Sequence, residues 1–332
     1  MPRAGATGAF WHDRLPHRTH RRNASVTAPL GLTWSIRVSE DSAWLTVSSG
    51  ALTAQVNPMG AQLSILRDRS GRELLWDGNP AFWNGRAPLL FPIVGSLAGG
   101  VYRLADKTYA LPRHGFARGK PFEVVSTSPA AAVLCLKADD QTLAVYPFYF
   151  QLQVRFETIG ATLTVTTSVR NDGDAPMPAS FGYHPAFRWP LPFGAARALH
   201  AIEFDLEEPA PIRRLNAAGL VTPVRYPTPI HARRLLLDDE LFRDDVVILD
   251  AVRSQGLSYG ADTGPRLALQ FPDTPYLGLW SKPGAPFICI EPWHGIADPV
   301  GFTGDFTEKP GVFIVPAGAQ RELRMQVTLT SG

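Results

Sequence analysis

Cysteine is scarce in this 332-residue chain: Cys135 and Cys289 are the two, and both sit inside apolar, strand-like runs. That excludes a disulfide scaffold and points to two buried thiols in a reducing, cytoplasmic setting. Long hydrophobic runs are missing too. None approaches the roughly 20 residues that a membrane helix needs, so no membrane partner is expected. Neither sign of charge is in excess, since Lys+Arg 32 against Asp+Glu 30 leaves a formal +2. Part of that surplus lies in Arg3, Arg14, Arg18, Arg21 and Arg22, so the body is near neutral and carries no nucleic-acid footprint. Helical periodicity is equally thin: ARRLLLDDELF (232–242) has room for a turn or two. Without crossover helices a doubly wound α/β fold is disfavoured. No Gly-rich loop links a strand to a helix and no G-x-S-x-G elbow occurs, so neither a nucleotide nor a serine nucleophile is indicated. No spacing matches a familiar metal motif, and Glu291 with His294 lacks the helix that i, i+3 ligation needs.

What the chain does have is period two. In FYFQLQVRFE (148–157) Phe148, Phe150, Leu152, Val154 and Phe156 share a face, with Gln151, Gln153 and Arg155 on the other. ATLTVTTSVRN (161–171) repeats the pattern through Leu163, Val165 and Val169. With so short a connection the two runs read as a β-hairpin with one polar face. RELRMQVTL (321–329) alternates as well, and shorter strands are expected at 44–48, 51–56, 61–67, 122–127, 132–137, 199–205, 246–250, 266–271 and 286–291. Proline (30) and glycine (29) fall between these runs and so punctuate turns. Many short strands with irregular loops indicate an all-β fold, a large antiparallel β-sandwich spanning residues 33–332 as a single domain. Residues 1–32 have no periodicity and no signal-peptide core. They read as a disordered basic tail, or as residues upstream of the natural start.

Three segments set polar groups in apolar, Gly/Pro-shaped surroundings: LPRHGFARG (111–119), SFGYHPAFRWP (180–190) and PFICIEPWHGIADP (286–299). In the last, alternation puts Phe287, Cys289 and Glu291 on one face of a strand that ends at the glutamate before a turn through Pro292. An unpaired carboxylate among apolar side chains is costly, because desolvation disfavours its charged form. Taken singly, each segment also suits a structural role: a hydrogen-bonded turn histidine, or an ion-paired glutamate.

Together with APLLFPIVGSL (87–97), the runs LPRHGFAR (111–118), GYHPAF (182–187) and IEPWHGIADP (290–299) resemble the aldose 1-epimerase (galactose mutarotase) family, in particular its LacX-like branch. The resemblance implies a galactose mutarotase-like β-sandwich with an open sugar-binding cleft, and a reaction without cofactor or metal. It places His184 on the family's general-acid histidine, Glu291 on its general base and His114 on its substrate-orienting histidine. Arg86, Arg118 and Trp293 are the further substrate-binding candidates. The family's substrate-binding aspartate falls in a weakly similar region, where Asp238, Asp239, Asp244 and Asp245 compete. Relatives carry Arg where this chain has Ser96, and Arg86 is the candidate to reach the same cleft instead. Tyr183, Phe187 and Trp293 are aromatics placed to stack on a sugar, Trp293 being equally suited to the core.

The implied partner is a small sugar, an aldohexose such as galactose or glucose, handled by a monomer or homodimer. Interconverting its α and β anomers takes two proton transfers. A base takes the anomeric hydroxyl proton while an acid protonates the ring oxygen, and closure on the other face reverses both roles. A carboxylate and an imidazole supply that pair near neutrality. The competing readings are a hexose-6-phosphate mutarotase, a glycosidase using two carboxylates, and a non-catalytic carbohydrate-binding protein.

Overall fold

The alternation over 148–171 becomes two paired strands, Phe150–Ile159 and Thr162–Asn171, in the computed structural model, which describes residues 44–331. The expected tail over 1–32 lies outside the described residues. The turn holds two residues, with Gly160 in the left-handed region (φ 53°) that a tight hairpin requires of its first central residue. Pairing begins at Phe150 rather than Phe148. Pro147 lacks the N–H to extend the ladder, and Tyr149 stands in solvent.

This hairpin is the middle of a nine-stranded antiparallel sheet. On one side Gln320–Thr330 pairs with Thr162–Asn171, followed by Arg266–Gln270, Gly256–Ala261, His200–Phe204 and Arg234–Leu236. On the other, Ala131–Lys137 and Glu123–Thr127 complete the row. A second sheet runs Val247–Leu249, Tyr276–Trp280, Phe287–His294, Phe181–Tyr183 and Leu89–Leu90, with Ala186–Arg188 also paired to Phe287–His294. Leu277, Leu279, Ile288 and Ile290 of this sheet join Leu152, Val154, Val165 and Leu323 of the large one in one buried core. The result is the antiparallel β-sandwich that the sequence pattern implies.

One local reading is refined and one is corrected. Over 232–242 the chain forms a short strand, Arg234–Leu236, then a 3₁₀ turn, Asp239–Phe242, capped by the Asp238 carboxylate accepting from Leu241 N–H at 3.1 Å. The strand expected to end at Glu291 runs on to His294. Pro292 is accommodated because its nitrogen faces the gap between Phe181–Tyr183 and Ala186–Arg188, where no ladder partner lies. One short helix, Asp140–Val145, has no counterpart in the period-two pattern; Asp139 and Thr142 close a capping box at its start.

Candidate active site

Strand Phe287–His294 separates core from cleft by alternation alone. Ile288 and Ile290 enter the main core, whereas Phe287, Cys289, Glu291 and Trp293 face the other way. Room for the Trp293 indole comes from two glycines on the flanking strands. A Cβ at Gly278 would lie 2.4 Å from its ring and one at Gly182 2.7 Å away. The indole thus lies flat across the sheet beside Glu291, whose register partner is Gly278. Its Nε1 is buried and lies outside strict hydrogen-bond geometry, but close enough to the Glu291 carboxylate to favour its charged form.

His184 follows Phe181–Tyr183 and brings Nε2 to 3.1 Å from Glu291 Oε2. Both side chains are nearly sealed from solvent, with His184 at 8% and Glu291 at 2% exposure. Trp83 stacks on the imidazole with ring centroids 5.0 Å apart and planes 27° from parallel, and Trp280 meets it edge-on. Burial dominates the electrostatics of the pair. It lowers His184 to about 3 and raises Glu291 well above the usual carboxylate range, the Arg113 charge opposing the latter. Both shifts favour neutral forms, so the pair holds one proton between carboxyl and imidazole. Moving it across 3.1 Å converts the neutral form into the carboxylate–imidazolium form without changing net charge.

The third member, His114, occupies a left-handed backbone conformation (φ 68°) that costs a non-glycine residue of order 1–3 kcal/mol. Gly95 N–H donates to its Nδ1 at 3.1 Å, while His114 N–H donates to Gly95 O at 2.9 Å. Arg113 Nε–H points at the other ring nitrogen, Nε2, at 3.2 Å. A neutral imidazole accepts at one nitrogen and donates at the other, so the ring cannot satisfy both donors at once. Burial, reinforced by the neighbouring His184, Arg113 and Arg118, pushes His114 well below its ordinary value and keeps it neutral. Gly95 itself is required at this crossing, because a Cβ there would lie 2.6 Å from the Ala297 backbone.

These groups line one cavity of about 260 Å³, together with Arg118, Trp83, Trp280, Asp245 and Lys282. Of the sequence candidates, Glu291, His184, His114, Arg118 and Trp293 are brought together there. Arg118 also anchors the His114 loop, donating to Arg113 O at 2.9 Å. Arg86 is not among the lining residues; its guanidinium donates to Ser64 O at 2.7 Å and lies over Trp44. Tyr183 and Phe187 belong to the core, the Tyr183 hydroxyl being tied to Thr167 and Leu323. His294 spends both ring nitrogens on Gly311 O and Arg321. Ser96 lies beneath the turn at Gly219, whose added Cβ would sit 2.8 Å from Ser96 Oγ, so an arginine at 96 would have to displace that turn.

Geometry also separates the four aspartates. Asp238 caps the 3₁₀ turn and Asp239 is forked to Arg197 at 2.7 and 2.8 Å. Asp244 faces a neighbouring hollow, and Asp245 alone of the four lines the cavity. Like His114, it has a left-handed backbone (φ 63°). Trp83, Trp280 and Lys282 carried no sequence signal, because each reaches the site from a loop or strand end just outside the motif runs. One donor set could approach a metal: single atoms of His184, Cys289 and Glu291 lie within 4.8 Å of one another. A metal there would have to break the His184–Glu291 contact and ionise a thiol that burial, the larger cause, holds well above its ordinary pKa.

The chain as a whole is similar to known proteins. The sequence model of the family described as aldose 1-epimerase matches residues 44–310. The chromosomal LacX protein of Lactococcus lactis subsp. lactis is 32% identical over 271 residues, covering 79% of this chain and 91% of LacX. A solved galactose mutarotase-like protein from Lactobacillus casei is 30% identical with a TM-score of 0.80, over 86% of this chain and 100% of its own. A galactose mutarotase related enzyme from Lactobacillus acidophilus is 28% identical with the same TM-score of 0.80, over 87% of this chain and 97% of its own.

Proposed function

The chain belongs to the aldose 1-epimerase family, and from that premise we propose that it interconverts the α and β anomers of neutral aldohexoses by acid–base catalysis. The observation that carries this reading is the sealed contact of 3.1 Å between His184 Nε2 and Glu291 Oε2 inside a sugar-sized cavity. In the carboxylate–imidazolium form, Glu291 takes the proton of the anomeric hydroxyl while His184 gives its proton to the ring oxygen. The C1–O5 bond breaks and the aldehyde is released from the ring. Rotation about C1–C2 presents the other carbonyl face. The O5 hydroxyl then closes on it, returning its proton to His184 as Glu291 protonates the new anomeric oxygen. Each positioned transfer contributes roughly 10²–10⁴-fold.

The remaining groups hold the ring in place. His114 hydrogen-bonds a sugar hydroxyl through Nε2, in place of its contact with Arg113 Nε. Asp245 accepts from another hydroxyl, and Trp83 and Trp293 offer apolar faces to the C–H side of the ring. A glycosidase would make a second carboxylate the partner of Glu291; Asp245 lines the same cavity, but the group in contact with Glu291 is the His184 imidazole.

Polarimetry of freshly dissolved α-glucose and α-galactose tests the proposal, with acceleration by the protein expected. Glu291→Gln keeps the shape and removes the proton affinity, so kcat falls roughly 10²-fold or more. Near-wild-type turnover in that variant overturns the assignment.

A further inference from the structure

A second hollow of about 510 Å³ adjoins the catalytic cavity and shares three wall residues with it, Arg113, Leu215 and Asp245. We infer that the two form one bipartite cleft, and that the second half holds the next sugar unit of a neutral reducing disaccharide or longer oligosaccharide. The inference rests on the anomerase reading and names the class of substrate that reading leaves open.

The depth of the cleft sets the direction. Glu291 and His184 lie at the closed end, whereas Arg113 is exposed and Asp245 only half-buried at the shared rim. A sugar with its anomeric carbon at the buried pair presents the opposite side of its ring, where C4 lies, toward the mouth. A substituent on O4 leaves through that rim into the second hollow. A free monosaccharide would leave this space to water.

The hollow is built, not an accident of a loose loop. Its far wall is a β-ribbon closed by the bridges Ile212–Tyr226 and Leu215–Val221, with Asn216 Oδ1 accepting from Ala218 and Leu220 N–H at 3.0 Å each. Arg214 ties it to the opposite wall, donating to Leu241 O at 2.8 Å and to Asp245 O at 2.9 Å. The surface offered is suited to a sugar. Tyr226 presents its ring at 40% exposure, and its hydroxyl has no partner among the described residues. The Asn216 amide nitrogen and the terminal nitrogens of Arg113 likewise have no acceptor among the described residues.

Charge decides between a glycosyl unit and a phosphate. Arg214 spends both terminal nitrogens on carbonyls, and Arg243 is paired with Glu240. Asp244 and Asp245 have no cationic partner within 4.0 Å among the described residues, and the Arg214 charge acts on both from its carbonyl-bonded position. A phosphate would find no free guanidinium fork there and two carboxylates beside it; a neutral polyol finds both donors and acceptors.

The test compares kcat/KM for glucose with that for two 4-linked reducing disaccharides, maltose and lactose, by polarimetry of fresh anomers. A disaccharide preference of roughly tenfold, corresponding to about 1.4 kcal/mol, is expected for at least one of them. Tyr226→Ala should abolish the preference while leaving glucose unchanged, and Tyr226→Phe, which keeps the ring, should retain most of it. Equal handling of glucose and both disaccharides, or a Tyr226→Ala loss that is the same for all three sugars, overturns the inference. Should no sugar be turned over, the anomerase reading fails separately. The cleft is then judged by quenching of cavity tryptophan fluorescence on titrating the same sugars, where tighter disaccharide binding lost in Tyr226→Ala supports it and equal binding overturns it.

Discussion

His184 and Glu291 are displaced in opposite directions from ordinary values of 6.5 and 4.5, His184 down to about 3 and Glu291 well up. Between pH 4.5 and 6.5 the unfolded chain holds one proton on these two groups, on the histidine, and the folded chain also holds one, so stability is flat. Above 6.5 the unfolded pair holds none while the folded pair keeps its proton. Stability then falls as pH rises, by at most about 1.4 kcal/mol per unit. Below 4.5 the unfolded pair holds two protons against one, and stability falls as pH drops. Urea midpoints across pH should show this plateau in the wild type. In Glu291→Gln the alkaline loss due to the pair should vanish and the acid loss begin near 6.5 instead of 4.5. An unchanged alkaline slope would mean that Glu291 is ionised in the folded protein. His114 makes a different contribution, one hydrogen bond from a neutral imidazole. His114→Phe should raise KM roughly two- to tenfold, matching the ~0.5–1.5 kcal/mol of a net hydrogen bond, with a smaller effect on kcat. A kcat loss as deep as that of His184→Asn would instead make His114 a proton-transfer group.

Along strand Phe287–His294, adjacent residues serve opposite sides of the sheet, so neighbouring substitutions should have separable effects. Ile290→Ala opens a cavity in the shared core and should cost about 2–5 kcal/mol, while kcat in the folded fraction stays near wild type. Glu291→Gln should do the reverse. Thermal melts and initial rates on the two variants check this; a kcat collapse in Ile290→Ala would mean that the core face sets the geometry of the pair. This alternation was legible in sequence, as were the central hairpin and most strands, because period two needs no knowledge of partners. The motif runs likewise located His114, His184 and Glu291, whose cavity positions follow from their own strands and turns. What sequence could not supply was side-chain direction beyond the strands. Arg86, Tyr183 and Phe187 lie close in sequence to motif residues yet turn to Ser64 or to the core. Trp83, Trp280, Asp245 and Lys282 line the cavity from segments with no pattern of their own. Choosing Asp245 over Asp238, Asp239 and Asp244 required knowing which carboxylates the Leu241 N–H and Arg197 already occupy.

Taken whole, the molecule has little net field to steer a charged ligand, at a formal +2. The three cations at the cavity are partly committed: Arg118 to the Arg113 carbonyl, Lys282 to the Phe82 carbonyl, and Arg113 to the rim it shares with Asp245. None forms a fork of the kind that grips a phosphate. For a neutral sugar, kcat/KM should therefore be nearly independent of ionic strength. Raising salt from about 0.05 to about 0.5 M, which shortens the screening length severalfold, should change the value for glucose less than twofold. Glucose 6-phosphate should gain no advantage at either salt. Comparing both sugars at both ionic strengths is decisive because the two possible origins of a preference respond differently. A tenfold preference for the phosphate that collapses with salt would mean that Arg113, Arg118 and Lys282 swing together onto an anion, and that the substrate is charged.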